Sequence, residues 1–351
     1  MKNLSNKTFE KILIIQTAFI GDVILTTPLI RELKNIYPKA IISIIVTPIS
    51  SILMETNPHI SEVIKLNKQN KSIFNFFKFI CKIRKQKFDL CIAPHSSLRS
   101  GLIAFLSGIP YRIGFNRYAQ RFLLTHKINH PKTGHKITKN LQLLTPLKDI
   151  SINSDSIQTE LFPSIEHKKK VSSIFNKLDN DYKKVLIAPG SVWFTKRWPL
   201  EYYTELCIKI LTTKSIIILS GSQAEKEICE NIFNDICYNM PELKERIIIT
   251  AGLFNLLETS EAVSLCDCVI CNDSATLHIA NANKTPAIAI FGPTVKEFGY
   301  YPYQQKDKLL EIALECRPCG KHGGKFCPQG HFLCMKKISV EMVFAEVKSL
   351  I

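Results

Sequence analysis

Residues 266–293, CDCVICNDSATLHIANANKTPAIAIFGP, carry the pattern on which the fold prediction depends. The stretch predicts an apolar strand at 269–271, a polar turn at 272–274, a helix through Ala282 and a second strand at 287–291. A proline before the second strand and a Gly-Pro pair after it are residues that end such elements. Two strands joined by one helix form a right-handed parallel crossover, and ligands bind outside the carboxyl ends of such strands. The turn is therefore a candidate binding site.

The turn at 272–274 has a second feature, which is the start of a helix. Asp273 and Ser274 can cap this helix, and its free N–H groups can bind an anion. His278 follows Ser274 by four residues, so the two side chains lie on one face. The same pattern is typical of two capping residues and a histidine packed in the core, and this segment alone does not decide between the two interpretations.

Strands alternate with helices along the rest of the chain. The other predicted strands are, in order, 11–16, 40–46, 62–66, 88–93, 184–188, 215–219 and 246–250. The alternation predicts an α/β protein with two doubly wound, Rossmann-like domains, because 351 residues exceed what one core usually organises. The polar region 150–180 contains the predicted linker. We predict a first domain at 1–165, a second at 166–335, and a C-terminal helix at 336–351 that packs back towards the first domain.

The chain is strongly basic, with a formal net charge of +16. Such a charge attracts nucleic acid, anionic lipid and phosphorylated glycolipid alike. The positive residues are spread over both halves and no nucleic-acid recognition motif is present, so we expect no nucleic-acid partner. The first apolar run is broken at Gln16 and Asp22, which is not typical of a secretory signal, and no window reaches ~18 uninterrupted apolar residues. These features predict a cytoplasmic protein.

Residues 72–87, SIFNFFKFICKIRKQK, predict a basic helix that is rich in phenylalanine. A helix of this kind lies either in a bilayer interface or over a sheet, with its basic face in solvent. The first interpretation predicts peripheral contact with the inner face of the cytoplasmic membrane.

Polar residues follow two predicted strands of the first domain. Asp22 lies at the carboxyl end of the first strand, where a helix begins, and is either an N-cap or an ionised carboxylate that accepts a proton. His95 follows the strand at 88–93. Arg99, Arg112 and Arg117 come next, and arginines near a cleft suit phosphate or carboxylate groups, although they are equally typical of a basic surface.

Three loops of the second domain are expected to meet at one carboxyl edge. They are 190–198, 221–225 and 273–278. They offer a lysine, Lys196, for phosphates and a carboxylate, Glu225, for ribose hydroxyls. These groups suit a nucleoside diphosphate, whereas the Gly-x-x-x-x-Gly-Lys-Ser/Thr loop of ATPases is absent.

Three segments resemble the signature segments of the bacterial ADP-heptose:lipopolysaccharide heptosyltransferase family, glycosyltransferase family 9. They are KILIIQTAFIGDVILTTPLIREL (11–33), APGSVWFTKRWPLEYYTEL (188–206) and NDSATLHIANANKTPAIAIFGPT (272–294). They occur in the family's order, and the similarity extends over nearly the whole chain. It looks closer to the heptosyltransferase II branch. The resemblance implies the glycosyltransferase B fold, with an acceptor-binding domain first and a donor-binding domain second.

The resemblance also implies an activity. The chain would transfer heptose from ADP-heptose to the inner core of lipopolysaccharide, with inversion at the anomeric carbon and no required cofactor. A sugar-nucleotide 2-epimerase shares the fold and is the alternative within enzymes. A basic nucleic-acid-binding protein is the alternative outside them.

The resemblance assigns roles to residues one by one. In the first domain, Asp22, which follows Gly21, matches the proposed general base that takes the proton of the acceptor hydroxyl. We expect the acceptor to bind near five residues of the first domain: Gly21, His95, Arg99, Arg112 and Arg117.

In the second domain, Lys196 matches the lysine that holds the donor phosphates and stabilises the leaving diphosphate. The other donor-binding positions are Gly190, Ser191, Glu225, Asp273, Ser274, Ala275 and His278. The ribose-contacting carboxylate can also align with Glu227 instead of Glu225. Ala275 stands where the family usually has glycine, and a backbone with positive φ there would cost about 1 kcal/mol.

Four cysteines fall in the segment CRPCGKHGGKFCPQGHFLCM. Cys316, Cys319, Cys327 and Cys334 can bind a structural zinc ion tetrahedrally, with His322 and His331 as competing ligands. A loop held by packing or by a transient disulfide is the alternative.

Overall fold

The computed structural model describes residues 4–70, 72–149 and 152–351. The chain divides into two compact units, Met1–Phe162 and Pro163–Ile351. The division lies close to residue 165, where the sequence places the end of the first domain. Each unit is an α/β structure built on one parallel sheet, as the sequence predicts.

The first unit contains a six-stranded sheet in the order β3-β2-β1-β4-β5-β6, with every described strand pair parallel. Its strands are β1 (Lys11–Ile15), β2 (Ile41–Val46), β3 (Glu62–Lys65), β4 (Leu90–Ala93), β5 (Tyr111–Phe115) and β6 (His126–Ile128). Its helices are α1 (Ile20–Ile24), α2 (Thr27–Ile36), α3 (Pro48–Glu55), α4 (Ile73–Lys85), α5 (Leu98–Leu106), α6 (Lys136–Leu141) and α7 (Ser154–Ile157). The strand order reverses between β1 and β4, so the loops after these two strands border the crevice where ligands bind in doubly wound sheets.

The centre of this sheet is fully apolar. Residues 12–15 of β1 have no exposed surface. A parallel strand that is buried on both sides reads as a continuous apolar run, which explains why KILII was recognisable in the sequence. The sequence pattern does not predict β6, at the edge of the sheet, or its neighbour β5.

The predicted helix 23–37 is two helices in the structure. α1 ends at Ile24, and α2 begins at Thr27 with Pro28 in its first turn. Pro28 has no N–H, and its ring would clash with the carbonyl group of the residue four positions earlier, Ile24. That carbonyl accepts instead from the hydroxyl of Thr27, at 2.8 Å. The break keeps α1 short and places Asp22 in its first turn.

The second unit repeats the architecture, with the order β12-β11-β10-β7-β8-β9. Its strands are β7 (Lys183–Ala188), β8 (Ser215–Leu219), β9 (Ile247–Ile249), β10 (Cys268–Asn272), β11 (Ala287–Phe291) and β12 (Lys308–Glu311). Its helices are α8 (Ile165–Phe175), α9 (Leu200–Leu211), α10 (Lys226–Asn239), α11 (Leu256–Ser264), α12 (Ala275–Ala282), α13 (Leu333–Lys336) and α14 (Val340–Lys348). Here the order reverses between β7 and β10, so the loops after these strands border the crevice.

The C-terminal helix requires a correction. The sequence pattern predicts a helix that is separate from the second domain and packs towards the first. In the structure, Val340, Val343 and Val347 are buried in the core of the second unit, together with residues of α9 and of the sheet. Lys308 in β12 also pairs with Glu346, at 3.0 Å. The helix is therefore an integral part of the second unit, because its apolar stripe is covered there.

None of the helices in the described ranges combines the length and the apolarity needed to cross a membrane.

Candidate functional site

An ion pair stands at the crevice of the second unit. Lys196 Nζ donates to Asp273 Oδ2 at 2.5 Å, and both side chains are only 11% exposed. The hydroxyl of Thr294 donates to the same carboxylate oxygen, at 2.6 Å. An ammonium group has three N–H donors, and in the described structure this bond uses one of them. The aspartate therefore fixes the lysine while leaving donors for an anionic ligand.

Asn272 connects the strands that carry this pair. It ends β10 and is fully buried. Its Nδ2 donates to the carbonyl of Pro189 at 2.8 Å, and its Oδ1 accepts from the backbone N–H of Trp198 at 3.1 Å. Both ends of the loop 189–198, which we call the Lys196 loop, are thus tied to the strand that precedes Asp273. Asn272 was not predicted as a site residue, although it directly precedes the motif in the quoted stretch.

The start of α12 has a buried hydroxyl group that caps nothing. Ser274 is the N-cap residue, but its side chain does not bond to the helix. Its Oγ atom is buried and has no hydrogen-bond partner among the residues that the structure describes. A buried hydroxyl without a partner is unfavourable, and a ligand oxygen at the helix N-terminus would satisfy it. The expectation that Ser274 caps the helix through its side chain is therefore wrong.

Ala275 causes no backbone strain. It is the first residue of α12, and the non-glycine residues with positive φ in the described chain are Lys87, Tyr118, Lys284 and Phe332. The left-handed conformation that would favour glycine is therefore not used at position 275. The alanine is compatible with the helix start.

The loops that follow β7 and β8 meet, as predicted. A Cβ atom on Gly190 would lie 2.1 Å from Glu225 Oε1, so the carboxylate packs directly against the backbone of this glycine. The other oxygen, Oε2, accepts from the N–H and the hydroxyl of Ser222, both at 2.8 Å. Glu225 thus closes a capping box on the 3₁₀ turn Gln223–Glu225, which leads into α10, and also faces Gly190.

Two other predicted donor residues are buried. Ser191 is 5% exposed, and its carbonyl accepts from Arg197 Nε at 2.8 Å. His278 is 3% exposed, and its ring centroid lies 6.3 Å from that of Tyr300. The donor-binding role of His278 stays a prediction.

Asp22 is surrounded by positive groups in the first unit. It lies in the first turn of α1, whose N-cap is Phe19, so it is not the N-cap residue that one interpretation proposed. Burial lowers the pKa values of Lys68, His95 and Lys136, and the negative charge of Asp22 offsets part of this lowering in all three, so these side chains lie near Asp22. Lys68 and Lys136 were not predicted as site residues, since neither belongs to a recognisable motif.

His95 is neutral at physiological pH. Burial, followed by the positive charge of Lys68, lowers the pKa of His95 to about 4. Its Nδ1 lies 3.2 Å from the hydroxyl of Thr17, in the loop after β1. The loops after β1 and β4 therefore meet at the carboxyl edge, as the sequence predicts.

The cations around Asp22 repel one another. Burial lowers the pKa of Lys136, and the charge of Arg117 lowers it further. Burial, followed by the positive charge of Lys136, lowers the pKa of Lys139. Arg99 binds the carbonyl of Lys68 at 3.3 Å, and its charge adds to the effect of burial in lowering the pKa of Lys68. An anionic ligand would relieve this repulsion, so the cluster is suited to an acidic or phosphorylated molecule.

Arg112 does not join this cluster. It lies near the beginning of β5, whereas the site loops follow the strands at their other end. Its guanidinium group donates to the carbonyls of Leu123 (2.7 Å), Pro110 (3.5 Å) and Ile109 and is thus committed to structure. The prediction that Arg112 binds the acceptor is therefore wrong. The sequence pattern does not show at which end of the strand this arginine lies.

The cysteine-rich segment lies beside the Lys196 loop. Cys319, Cys327 and Cys334 line a cavity of about 70 Å³, together with Thr195. Burial raises the pKa of Cys334 to about 11. Cys316 is the fourth predicted ligand. Across residues 4–70, 72–149 and 152–351, no group of three or more His, Cys, Asp or Glu side chains is arranged to hold a metal ion. The zinc site stays a prediction.

The sequence of this chain is similar to those of known glycosyltransferases. Residues 76–328 match the family described as glycosyltransferase family 9 (heptosyltransferase). Lipooligosaccharide heptosyltransferase 2 of Campylobacter jejuni subsp. jejuni serotype O:6 is 28% identical over 97% of this chain and 99% of the relative.

Solved structures share the fold along the whole chain. Escherichia coli ADP-heptose lps heptosyltransferase II superposes with a TM-score of 0.78 at 22% identity and covers 97% of this chain and 98% of its own. Escherichia coli heptosyltransferase WaaC, solved with ADP-2-deoxy-2-fluoro heptose, has a TM-score of 0.71 at 14% identity, with coverages of 97% and 99%. The two-unit architecture is therefore that of known heptosyltransferase structures.

Proposed function

Since this chain belongs to glycosyltransferase family 9 (heptosyltransferase), we propose that it transfers heptose from ADP-heptose to the inner core of lipopolysaccharide. The observation that supports this most is the Lys196–Asp273 pair beside the uncapped start of α12. A buried cation next to free helix N–H groups suits a diphosphate. Relatives that are named for this activity align over nearly the full chain.

The proposed reaction is one displacement at the anomeric carbon. An acceptor hydroxyl oxygen forms a bond to this carbon as the bond to the diphosphate oxygen breaks, so the configuration inverts. Asp22 takes the hydroxyl proton, and ADP leaves with the bonding electrons. Lys196 and the N–H groups at Ser274 stabilise the charge that grows on the diphosphate. In this scheme these groups supply the stabilisation, and no cofactor has a role.

The acceptor is proposed to bind beside Asp22. Lys68, Lys136, Arg99 and Arg117 provide the positive charge there, and the inner core carries phosphates and acidic sugars. Arg117 Nη1 also lies 3.4 Å from His130 Nε2, which holds its guanidinium near the cluster. Recognition of an anionic glycolipid follows from these charges.

A test of the activity uses two incubations. With ADP-heptose and a defined inner-core acceptor, we expect the acceptor to gain one heptose by mass and ADP to be released in equal amount. With UDP-GlcNAc and no acceptor, we expect no epimer. Conversion of UDP-GlcNAc without any heptose transfer would contradict the proposal and favour the epimerase alternative.

We also propose that α4 touches the inner face of the cytoplasmic membrane. Ile80 and Ile83 are buried, so the helix does cover the sheet. Its first turns nevertheless expose apolar side chains, since Ile73 is 73%, Phe74 77% and Phe77 53% exposed. Exposed lysines and an arginine follow on the same helix: Lys78, Lys82, Arg84 and Lys85. Apolar groups beside positive charge suit an anionic bilayer surface, to which a lipid-linked acceptor would be anchored.

Vesicle flotation tests this contact. The protein is expected to float with vesicles that contain anionic phospholipid, and Phe74→Ser with Phe77→Ser should abolish most of the binding. Tyr238→Ser, which changes a side chain that is 90% exposed on the second unit, serves as the control. Equal flotation of the double variant and the wild type would overturn the α4 assignment.

A further inference from the structure

Residues 316–334, the cysteine-rich segment, make polar contacts with the Lys196 loop. The backbone N–H of Thr195 donates to the carbonyl of Gly324 at 3.1 Å. The backbone N–H of Gly324 in turn donates to the hydroxyl of Thr195, at 2.7 Å. Thr195 is 3% exposed, so these bonds are shielded from water. The residue before Lys196 is therefore held by the segment through reciprocal bonds.

The segment also packs against the stem of Lys196 itself. A Cβ atom on Gly323 would lie 2.6 Å from Cβ of Trp193, 2.9 Å from Oγ1 of Thr195 and 3.0 Å from Cγ of Lys196. Such distances leave no room for a side chain at position 323. The backbone of the segment thus forms a wall against which the lysine side chain extends.

Aromatic contacts join the same two stretches. The rings of Phe194 and Phe332 stack with centroids 6.0 Å apart, and those of Trp193 and His322 stack at 6.4 Å. Stacked pairs of this kind add to the stability of the packing. The contact between the segment and the loop is therefore both polar and apolar.

The other end of the segment holds the partner of the lysine. Arg317 has a side chain that is 5% exposed, and it donates to the carbonyl of Thr294 at 2.7 Å. Its guanidinium group also binds Glu311 at 2.9 Å, which compensates its buried charge. Thr294 is the residue whose hydroxyl binds Asp273. One segment thus contacts the loops on both sides of the Lys196–Asp273 pair.

We propose that the cysteine-rich segment positions Lys196 for a nucleoside diphosphate, with Thr195 and Gly323 as positioning residues. The inference rests on the proposed function, because it takes the ligand of Lys196 to be the ADP part of the donor. Neither residue touches the reacting atoms. They act by fixing the direction of the lysine side chain before the ligand arrives, which lowers the entropy that binding must remove.

The test compares two residues of the segment. Gly323→Ala adds a methyl group against Lys196, whereas Phe326→Ala removes a side chain that is 75% exposed. Calorimetric titration with ADP is expected to show about tenfold or greater loss of affinity for the first variant and unchanged affinity for the second. Thermal unfolding of both variants is measured alongside.

Two further variants keep the test decisive if Gly323→Ala does not fold. Thr195→Val removes the hydroxyl at constant shape and is expected to weaken ADP binding. Thr195→Ser keeps the hydroxyl and is expected to restore most of the affinity. Such rescue would not follow if the loop served only the stability of the fold.

The outcomes separate this inference from the function on which it depends. ADP binding by Thr195→Val and Gly323→Ala at the wild-type level would overturn the positioning role while leaving the proposed function in place. Equal losses in Gly323→Ala and Phe326→Ala would overturn it as well. Wild-type protein that fails to bind ADP would contradict the proposed function itself.

Discussion

Lys196 is the nearly buried cation at the crevice of the second unit. Its stem lies against Gly323, and its ammonium group lies on Asp273, so both its direction and its charge are set before any ligand binds. The sequence identified Lys196 and Asp273 through their motifs. It could not identify Gly323, because the contact joins residues that are far apart in the chain.

Replacing Lys196 tests its role in charge stabilisation. Lys196→Met keeps most of the stem and removes the charge, and we expect kcat for heptose transfer to fall about 10²–10³-fold. Initial rates with ADP-heptose measure the effect. Lys214→Met, at a lysine whose side chain is 62% exposed, is the control and should retain wild-type rates. A Lys196→Met enzyme with unchanged kcat would remove the lysine from the mechanism.

His95 makes the stability of the first unit depend on pH. Burial and then Lys68 lower its folded pKa to about 4, against about 6.5 in an unfolded chain. Between these values the unfolded state binds more protons, so the free energy of unfolding decreases as pH falls from about 6.5 to 4. Above this window the histidine is neutral in both states and contributes no pH dependence.

Urea unfolding at several pH values tests this assignment. In His95→Gln, the decrease in the free energy of unfolding between pH 6.5 and 4 should be smaller than in the wild type. The two proteins are compared by the slope of the free energy of unfolding against pH, because carboxylates elsewhere also titrate in this range. Identical slopes in the two proteins would show that His95 has no depressed pKa.

At the scale of elements, two connections decide the site. The break between α1 and α2 at Pro28 places Asp22 in a short helix of its own. Asn272 ties the Lys196 loop to β10. The break is foreseeable from the proline, but the hydrogen bonds of Asn272 are not, since their partners lie in another strand and loop.

Removing the Asn272 side chain is expected to destabilise the second unit. Asn272→Ala leaves the buried N–H of Trp198 and the carbonyl of Pro189 without partners, and each such loss costs about 1–3 kcal/mol. The free energy of unfolding measured in urea should therefore fall by at least about 2 kcal/mol. The exposed Asn239, changed to alanine, should alter it by less than about 0.5 kcal/mol. Similar small changes in the free energy of unfolding at both positions would show that the Asn272 hydrogen bonds do not stabilise the second unit.

At the scale of the molecule, the sequence predicted the fold well where strands are central and apolar. It predicted β1, β7, β10 and β11 within two residues at each end, because continuous apolar runs mark buried parallel strands. It missed β5, β6 and β12, which are short, contain charged residues and are stabilised by pairing at or near the edge of a sheet. It also misplaced the C-terminal helix, whose packing depends on a core that local pattern does not reveal.

The candidate site was predictable to a similar extent. The motifs indicate Asp22, Lys196 and Asp273, whereas the cations that surround Asp22 belong to no motif. Arg112 was overestimated, because the sequence shows an arginine near the site loops but not the carbonyls that occupy it. Charge alone therefore indicates an anionic partner, and only the fold shows which charges are available to it.

The central claim is that Asp22 accepts the proton in a heptose transfer. Its most direct test is kcat for transfer from ADP-heptose to an inner-core acceptor by Asp22→Asn, beside the exposed Asp181→Asn as a control. We predict a loss of about 10²–10⁴-fold for Asp22→Asn, with ADP affinity retained, and no loss for the control. Turnover by Asp22→Asn at the wild-type rate would contradict the account.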